Sequence, residues 1–295
     1  MIEIKKFGAI DIGSNAMRLL ICNVVEQPGK EPVFNKSSLI RVPIRLGQDV
    51  FTSGTISEQN KGRMIDAMRA FHLLMKVHQV QKYRACATSA MREAANGVEV
   101  QQAIASQSEI VIDIIDGKEE ASIIASTDLN DFMELDKNYI YVDVGGGSTE
   151  VSIFSKGTMV ASNSFKIGTV RLLNEMVDEE IWDSIRLWIK EHVKPYKDVV
   201  MIGSGGNINK IFKLSNKPQS KPLSYTYLNQ QFLELSALSY EERISELALN
   251  SDRADVIVPA LKIYTSAMKW SGAKNIFVPK IGLSDGIVKS LYYNN

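Results

Sequence analysis

Cysteine and histidine are both scarce in this chain of 295 residues, which contains two cysteines and three histidines. A structural zinc site draws four ligands from closely spaced Cys and His residues, so this composition excludes one in practice. Cys22 and Cys86 each lie in an apolar run, which is typical of buried thiols in a reducing compartment. We therefore expect a cytoplasmic protein without a Cys/His metal centre.

Net charge and long apolar runs are lacking as well. The 34 Lys and Arg residues balance the 34 Asp and Glu residues, so no overall field attracts nucleic acid or an anionic membrane. No apolar run approaches the roughly 20 residues that a membrane span needs, and the N-terminus lacks the apolar core of a signal peptide. We expect no nucleic-acid and no membrane partner, and any polyanion site must be a local patch.

Three well-known catalytic or nucleotide-binding motifs are also missing. The chain has neither the Walker sequence G-x-x-x-x-G-K-[ST] nor the dinucleotide-binding G-x-G-x-x-G, and it lacks the serine-hydrolase elbow G-x-S-x-G. His72, His78 and His192 lie in helical patterns away from every glycine-rich turn. Acid–base chemistry is therefore expected from carboxylates.

Hydrophobic periodicity predicts an α/β protein in which the order β-β-β-α-β-α-β-α occurs twice. In the first half, strands over residues 7–12, 17–25 and 31–44 precede a long helix with Ser57 as its N-cap. One face of that helix is expected to be buried, at Met64, Met68, Phe71 and Met75. The other elements of this half are strands over 83–88 and 110–115 and helices over 89–95, 98–106 and 119–127.

The second half is predicted to contain strands over residues 139–144, 150–154, 159–165, 199–202 and 275–278. We place the domains at residues 1–127 and 128–295, with a last helix near 285–292 that belongs to the second domain or packs back on the first. The polar stretch 128–138 is the expected hinge, about which the domains would close on a ligand. Residues 213–224, rich in Lys, Ser, Pro and Asn, are expected to form an exposed loop.

Two strand-turns have almost the same sequence, AIDIGS at residues 9–14 and YVDVGG at residues 141–146. In each, an acidic residue, Asp11 or Asp143, ends a buried strand shortly before a glycine-rich turn, so a carboxylate lies beside backbone N–H groups that can bind an anion. Either turn alone also fits an ordinary hairpin, but two in symmetric positions favour phosphate binding and an internal duplication. The expected phosphate-binding residues are Gly13, Ser14 and Asn15 in the first turn and Gly145, Gly146, Gly147 and Ser148 in the second.

A third glycine-rich turn, GSGGN at residues 203–207, joins a strand to a helix and adds Gly205 and Gly206 to the anion-binding candidates. A pair of glutamates, Glu119 and Glu120, opens a helix directly after another strand. Acidic residues favour helix N-termini in any case, yet one of these carboxylates could also accept a proton from an attacking water. The residues alone leave open which of the two would do so.

A series of motifs resembles the exopolyphosphatase/guanosine pentaphosphate phosphatase family over almost the full chain. They include AIDIGSNAMRLL (9–20), ATSAMREAANG (87–97), IDGKEEASI (115–123), VDVGGGSTE (142–150) and FKIGTVRL (165–172). The resemblance implies the actin/Hsp70/sugar-kinase architecture, in which two RNase H-like α/β domains bind phosphate in an interdomain cleft. Longer members of the family continue into an additional helical domain, so we expect a short form.

The resemblance also implies roles for individual residues. Glu120 would be the general base that activates water, and Glu119 its neighbour. Asp143 would bind Mg²⁺, with Asp11 opposite it and Glu150 as a further ligand, and Mn²⁺ is the alternative metal. The basic residues in or near the matched motifs are Arg92, which would contact phosphate, and Arg18, Arg45, Lys166 and Arg171, which are weaker candidates for a polyanion track.

Together with the two phosphate-binding turns, the resemblance implies a hydrolase that removes the terminal phosphate of inorganic polyphosphate. We expect it to prefer short chains and to release its product after each cut, because a neutral chain without the additional domain has little room for a long basic track. Three alternatives stay open: a guanosine pentaphosphate phosphohydrolase, a small-molecule kinase of the same fold, and a non-catalytic nucleotide-sensing module. A homodimer is one candidate assembly.

Overall fold

The computed structural model describes residues 1–127 and 133–294, and its packing divides the chain into two compact units. The first unit is Met1–Thr127 together with Gly282–Asn295, and the second is Asp128–Ile281. Residues 128–132 of the predicted hinge lie outside the described residues. Within the described ranges, no helix is both long enough and apolar enough to cross a membrane.

The first unit is built on a five-stranded mixed sheet. Its elements before residue 128 are β1 (Glu3–Ile12), β2 (Met17–Glu26), β3 (Val33–Val42), α1 (Leu46–Ser53), α2 (Glu58–Val77), β4 (Lys82–Ala87), α3 (Ser89–Glu93), α4 (Gly97–Ser108), β5 (Ile112–Ile114) and α5 (Gly117–Ala125). The strands lie in the order β3-β2-β1-β4-β5, and β1, β4 and β5 run parallel. The carboxyl ends of these three strands therefore share one edge, the edge at which open α/β sheets bind ligands.

Helix α2 follows the predicted pattern from its first residue. The side chain of Ser57 accepts a hydrogen bond from the backbone N–H of Asn60 at 3.2 Å, which confirms the predicted N-cap. The four residues of the predicted apolar stripe are all buried. Amphipathic periodicity therefore predicted this helix correctly, because its burial follows the helical repeat.

Helix α1 lies between β3 and α2, where the sequence pattern predicted no helix. Gly47 lies near its start and Gly54 follows its last residue, and both glycines weaken the helical signal. Gly54 adopts the left-handed conformation, with a φ of 77°, and its N–H caps the helix by donating to the Val50 carbonyl at 2.9 Å.

The second unit repeats the strand order of the first and adds one strand. Its elements are β6 (Asn138–Val144), β7 (Thr149–Ser155), β8 (Thr158–Phe165), α6 (Thr169–Leu173), α7 (Glu179–Val193), β9 (Val200–Ser204), α8 (Gly206–Leu214), β10 (Leu223–Ser224), α9 (Tyr225–Ala237), α10 (Tyr240–Ser245), α11 (Ser251–Ala254), α12 (Ile257–Ser271) and β11 (Asn275–Phe277). The sheet order is β10-β11-β9-β6-β7-β8, so β8-β7-β6-β9-β11 corresponds to β3-β2-β1-β4-β5. This correspondence confirms the internal duplication inferred from the two strand-turns.

The prediction of an exposed loop over residues 213–224 is wrong at both of its ends. Lys213 lies within the last turn of α8. Leu223 belongs to β10, pairs with Ile276 of β11 and is fully buried. A two-residue strand has no detectable alternation of polar and apolar residues, so the sequence pattern could not predict it.

The last helix, α13 (Leu283–Tyr293), packs against β1, β2, β4 and α5 and therefore belongs to the first unit. Gly286 allows α13 and α5 to approach closely, because a Cβ at this position would lie 2.1 Å from the carbonyl oxygen of Ile123. Lys36 of β3 forms an ion pair with Asp285 at 2.7 Å and adds a polar contact to this packing.

The close approach of α13 to α5 at Gly286 predicts the effect of adding a single methyl group there. Gly286→Ala should force α13 away from α5 and lower the free energy of unfolding by about 1–3 kcal/mol, measured by urea denaturation. The matched control is Gly62→Ala in α2, where a Cβ meets no atom within 4 Å. Because alanine is the better helix former, the control should raise stability by up to about 1 kcal/mol. A Gly286→Ala protein as stable as the wild type would contradict the helix packing.

Candidate functional site

The turns between β1 and β2 and between β6 and β7 have the same backbone hydrogen bond. In each, the N–H of the first residue donates to the carbonyl of the fourth, at 3.1 Å from Gly13 to Ala16 and at 3.0 Å from Gly145 to Ser148. We call these the first and the second hairpin turn. Their shared geometry makes the residues that flank them equivalent positions of the repeat.

The acidic residues before the two turns have different cross-strand partners, a basic residue in the first unit and an acidic one in the second. Asp11 is paired in register with Arg18, whose Nη1 lies 2.5 Å from the Asp11 carboxylate. At the equivalent position of the second unit, Asp143 is paired in register with Glu150. Glu150 is only 2% exposed and accepts a hydrogen bond from the Ser164 hydroxyl at 2.8 Å. The repeat therefore places an ion pair beside the first hairpin turn and two carboxylates beside the second.

The carboxylate pair could hold a hard divalent cation. Directly opposed like charges on neighbouring strands destabilise a sheet unless a cation or a proton compensates them. Mg²⁺ is commonly held by one or two carboxylates, with waters and substrate phosphate completing its coordination. Among the described residues, no group of three or more His, Cys, Asp or Glu side chains is placed so that it could hold a metal ion.

Helix α6 supports the second hairpin turn from one side. The carbonyl oxygens of Gly145 and Gly146 accept hydrogen bonds from the backbone N–H groups of Thr169 and Val170, at 3.0 and 2.9 Å. The buried side chain of Arg171 donates from Nε to the carbonyl of the third turn residue at 2.7 Å. In the part of the chain that the structure describes, the N–H groups of the second, third and fourth turn residues donate to no protein acceptor.

The first hairpin turn has a similar support. The carbonyl of Ser14, its second residue, accepts a hydrogen bond from the N–H of Gly47 in α1 at 2.8 Å. The buried Ser14 hydroxyl lies 2.9 Å from the hydroxyl of Ser89, and Asn15 is half-buried. Helix α1, which the sequence pattern did not predict, is therefore part of this turn's framework.

The third glycine-rich turn lies beside Asp143. Parallel pairing of β6 with β9 brings Ser204 into register with Asp143, and Gly205 and Gly206 follow directly. Gly205 has a φ of 117°, and a Cβ there would lie 3.3 Å from Oδ1 of Asp143 and 3.1 Å from the carbonyl of Val144. Only glycine fits this conformation and this space easily, so the start of α8 can approach the carboxylate.

Two buried tyrosines fix this third turn. The hydroxyl of Tyr141 donates to the Ser204 hydroxyl at 2.5 Å, and that of Tyr264 donates to the Ser204 carbonyl. Burial, followed by the negative charge of Asp143, raises the pKa of both phenols well above its usual value, so both remain neutral donors. Sequence reasoning missed these residues, because a tyrosine in a strand or helix resembles any other core aromatic.

The glutamate pair lies on the first turn of α5. The N-cap Asp116 accepts hydrogen bonds from the N–H groups of Lys118 and Glu119, and the bond from Glu119 is the main cause that lowers the pKa of Asp116. The Glu119 side chain forms an ion pair with Arg84 at 2.7 Å, and it is 46% exposed. Glu120 is buried, at 8% exposure. The structure thus separates a surface carboxylate from a buried one.

Arg92 of α3 lies beside the start of α5. Its Nη1 donates to the carbonyl of Ile115 at 2.6 Å, and its charge contributes to the lowered pKa of Asp116. Since α3 follows β4 and α5 follows β5, Arg92 and Glu120 share with Asp11 the carboxyl edge of the first sheet. The candidates of the second unit gather in the same way around Asp143.

The remaining basic candidates differ in where their side chains lie. Lys166 is exposed and Arg45 half-buried, whereas Arg18 is paired with Asp11. Arg171 was expected along a polyanion track, but it is 7% exposed and contacts the back of the second hairpin turn. A sequence motif shows that an arginine is near a turn without showing on which side of the backbone it lies.

The comparisons with known proteins agree with this architecture. A crystal structure of an exopolyphosphatase from Cytophaga hutchinsonii is 24% identical, with a TM-score of 0.85 and coverage of 97% of both chains. That of an Aquifex aeolicus member of the Ppx/GppA family has a TM-score of 0.77 at 24% identity and covers 99% of both. The chain therefore has the fold of these structures, and each of its two units is of the predicted α/β class.

Sequence comparison identifies the family. A curated relative, exopolyphosphatase 2 of Mycobacterium tuberculosis, is 24% identical over 316 aligned residues, covering 97% of this chain and 98% of the relative. The profile of the Ppx/GppA phosphatase family matches residues 34–294. This chain belongs to the Ppx/GppA phosphatase family and is a phosphoanhydride hydrolase.

Proposed function

We propose that this protein is an exopolyphosphatase that hydrolyses the terminal phosphoanhydride bond of short inorganic polyphosphates. The observation that carries the proposal is the carboxylate pair of Asp143 and Glu150 beside a turn in which the N–H groups of residues 146–148 donate to no protein acceptor among the described residues. Carboxylates bind the metal that accompanies phosphate, and the N–H groups bind phosphate oxygens. Relatives named as exopolyphosphatases support the choice of substrate.

We assign Mg²⁺ to Asp143 and Glu150. When bound, the ion would neutralise phosphate charge as it accumulates during phosphoryl transfer, and Mn²⁺ could replace it because it accepts the same oxygen ligands. Asp11 is the weaker ligand in this proposal, since its carboxylate already neutralises Arg18. It would act through a bound water rather than by direct coordination.

The phosphate-binding groups are backbone N–H groups and one arginine. In the second unit they are those of residues 146–148, supported by the third turn at Gly205 and Gly206. In the first unit they are the turn residues Ser14 and Asn15, together with Arg92, whereas the N–H of Gly13 closes the turn by donating to the Ala16 carbonyl. Groups of either kind can hold phosphoryl oxygens in a fixed position, and phosphoryl transfer depends largely on positioning and charge stabilisation.

Glu120 is the proposed general base. It is buried on the first turn of α5, whereas Glu119 is turned to the surface and paired with Arg84. A carboxylate with little solvent around it can accept a proton from an attacking water without competing hydration. The oxygen of the deprotonated water attacks the terminal phosphorus, and the shortened polyphosphate leaves with the bridging oxygen.

The preference for short chains follows from the distribution of positive charge. The net charge is zero, Arg18 is neutralised by Asp11, and Arg171 is buried behind a turn. A long polyphosphate needs a continuous basic surface for repeated cleavage without release. Of the five candidate cations, Arg45, Arg92 and Lys166 remain, and because three are too few for a continuous surface, product release after each cut is the expected behaviour.

The assignment of the base predicts different effects for the two neighbouring glutamates. Glu120→Gln should lower kcat by about 10²–10⁴-fold with little change in phosphate binding, because it removes only the proton acceptor. Glu119→Gln, the matched control, should retain nearly full activity. Steady-state phosphate release measures both. If Glu120→Gln kept more than about a tenth of the activity, the assignment would be wrong.

The metal assignment predicts that two equivalent aspartates behave differently. Asp143→Asn should raise the Mg²⁺ concentration for half-maximal activity at least about tenfold, as expected on losing one of few charged ligands. In EDTA its melting temperature should not fall, because the substitution also relieves the repulsion from Glu150. Asp11→Asn should mainly lower the melting temperature, since it breaks the pair with Arg18. Unchanged Mg²⁺ dependence in Asp143→Asn would remove that residue from the metal site.

The substrate proposal is tested by measuring phosphate release from long-chain polyphosphate, short-chain polyphosphate, guanosine pentaphosphate and ATP side by side. We expect the highest kcat/KM with short chains, and a gel of a long-chain digest should show the whole population shortening gradually. Full-length chains coexisting with free phosphate would instead indicate processive cleavage. A higher kcat/KM for guanosine pentaphosphate would assign the enzyme to the nucleotide.

A further inference from the structure

Three consecutive carbonyl groups of the second hairpin turn are held from the same side. Those of Gly145 and Gly146 accept from the N–H groups of Thr169 and Val170, and that of Gly147 accepts from Nε of Arg171. The helix that carries these donors has only five residues, so the three contacts depend on its close docking to the turn.

Because the C=O and N–H of one peptide group have a fixed relative direction, holding the three carbonyl groups also orients the N–H groups that follow them. These peptides are trans, and in a trans peptide the C=O and the following N–H point in opposite directions. Three carbonyls held toward α6 therefore direct the N–H groups of Gly146, Gly147 and Ser148 to the other side of the turn. Successive N–H groups oriented in this way form an anion-binding concavity.

The closeness of α6 makes the support rigid. A Cβ on Gly168 would lie 2.4 Å from the carbonyl oxygen of Gly146, so the backbones are in direct contact. Arg171 is 7% exposed, and its contact is the only one of the three that comes from a side chain. Its guanidinium is permanently charged and lies behind the turn, where it adds positive potential beneath the N–H groups.

We propose that Arg171 is a positioning residue, which holds the second hairpin turn so that its three N–H groups face a phosphate. The inference rests on the proposed function, because it requires this turn to bind phosphate. Arg171 does not touch the substrate in this role. Its side chain acts through the Gly147 carbonyl and adds to the backbone donors of α6, which are the N–H groups of Thr169 and Val170 and, at 3.4 Å from the Gly146 carbonyl, that of Arg171 itself.

Nuclear magnetic resonance with ¹⁵N-glycine labelling tests the inference, with inorganic phosphate as the probe. Phosphate should shift the amide signals of Gly146 and Gly147 in the wild type and much less in Arg171→Lys, which keeps the charge but loses the Nε donor. Arg171→Met removes both and should lower kcat/KM at least about tenfold, less than the ~10²–10³-fold loss on deleting a donor outright. The inhibition constant of phosphate should rise in parallel, while the pH dependence of kcat stays unchanged.

The control is Arg186→Met, on an exposed part of α7 in the same unit, where the arginine pairs with Asp183 at 2.8 Å. It should change neither the glycine signals nor kcat/KM. Wild-type glycine shifts together with normal shifts and rates in Arg171→Lys and Arg171→Met would overturn the role of Arg171 alone. If phosphate shifted no glycine signal in the wild type, this inference and the proposed phosphate site would both be overturned, whether or not the two variants fold. Activity on polyphosphate would still test the proposed reaction separately.

Discussion

The pairing of two carboxylates across β6 and β7 is the constraint on which the rest of the second unit depends. Register places Asp143 opposite Glu150, and a sheet with this arrangement is stable only if positive charge or hydrogen-bond donors surround it. The surrounding structure supplies such groups in a specific pattern. Ser164 donates to Glu150, two neutral tyrosines fix the neighbouring turn, and glycine allows the start of α8 to approach.

The first unit has the same strand-turn framework but lacks the pair of opposed carboxylates. Its hairpin turn has the same hydrogen bond, and a helix N–H again holds the carbonyl of the turn's second residue. An arginine replaces the second carboxylate, so the flanking charges cancel within the protein. One backbone arrangement thus supports two electrostatic environments, and a single cross-strand position decides between them.

The sequence predicted those features whose physical cause is local. The amphipathic stripe of α2 and its Ser57 cap depend on neighbouring residues, and both were found as predicted. The strands were predicted as well, although β1 begins at Glu3, four residues before its predicted start. The pair of similar turns was also sufficient to indicate the duplication. Helix α1 and strand β10 escaped prediction because each depends on a tertiary contact, that of Gly47 with Ser14 in one case and that of Leu223 with Ile276 in the other.

Side-chain direction was the harder problem at the candidate site. The motif containing Arg171 suggested a cation near phosphate, but the residue is buried and bonds to the back of a turn. Tyr141 and Tyr264 gave no signal at all, because their hydroxyl groups matter only once Ser204 lies within reach. Motifs locate residues along the chain, whereas their roles here depend on which face of the backbone each side chain occupies.

The return of the chain to its first unit has a consequence for biosynthesis. Residues 283–293 pack on β1, β4 and α5. These three elements end more than 150 residues before the helix begins, so they are synthesised well before it. During translation, at roughly 5–20 residues per second, the whole second unit is synthesised before this helix is made. The apolar surface of the first sheet therefore stays uncovered over that interval, and the first unit reaches its final packing only after the second unit has been synthesised.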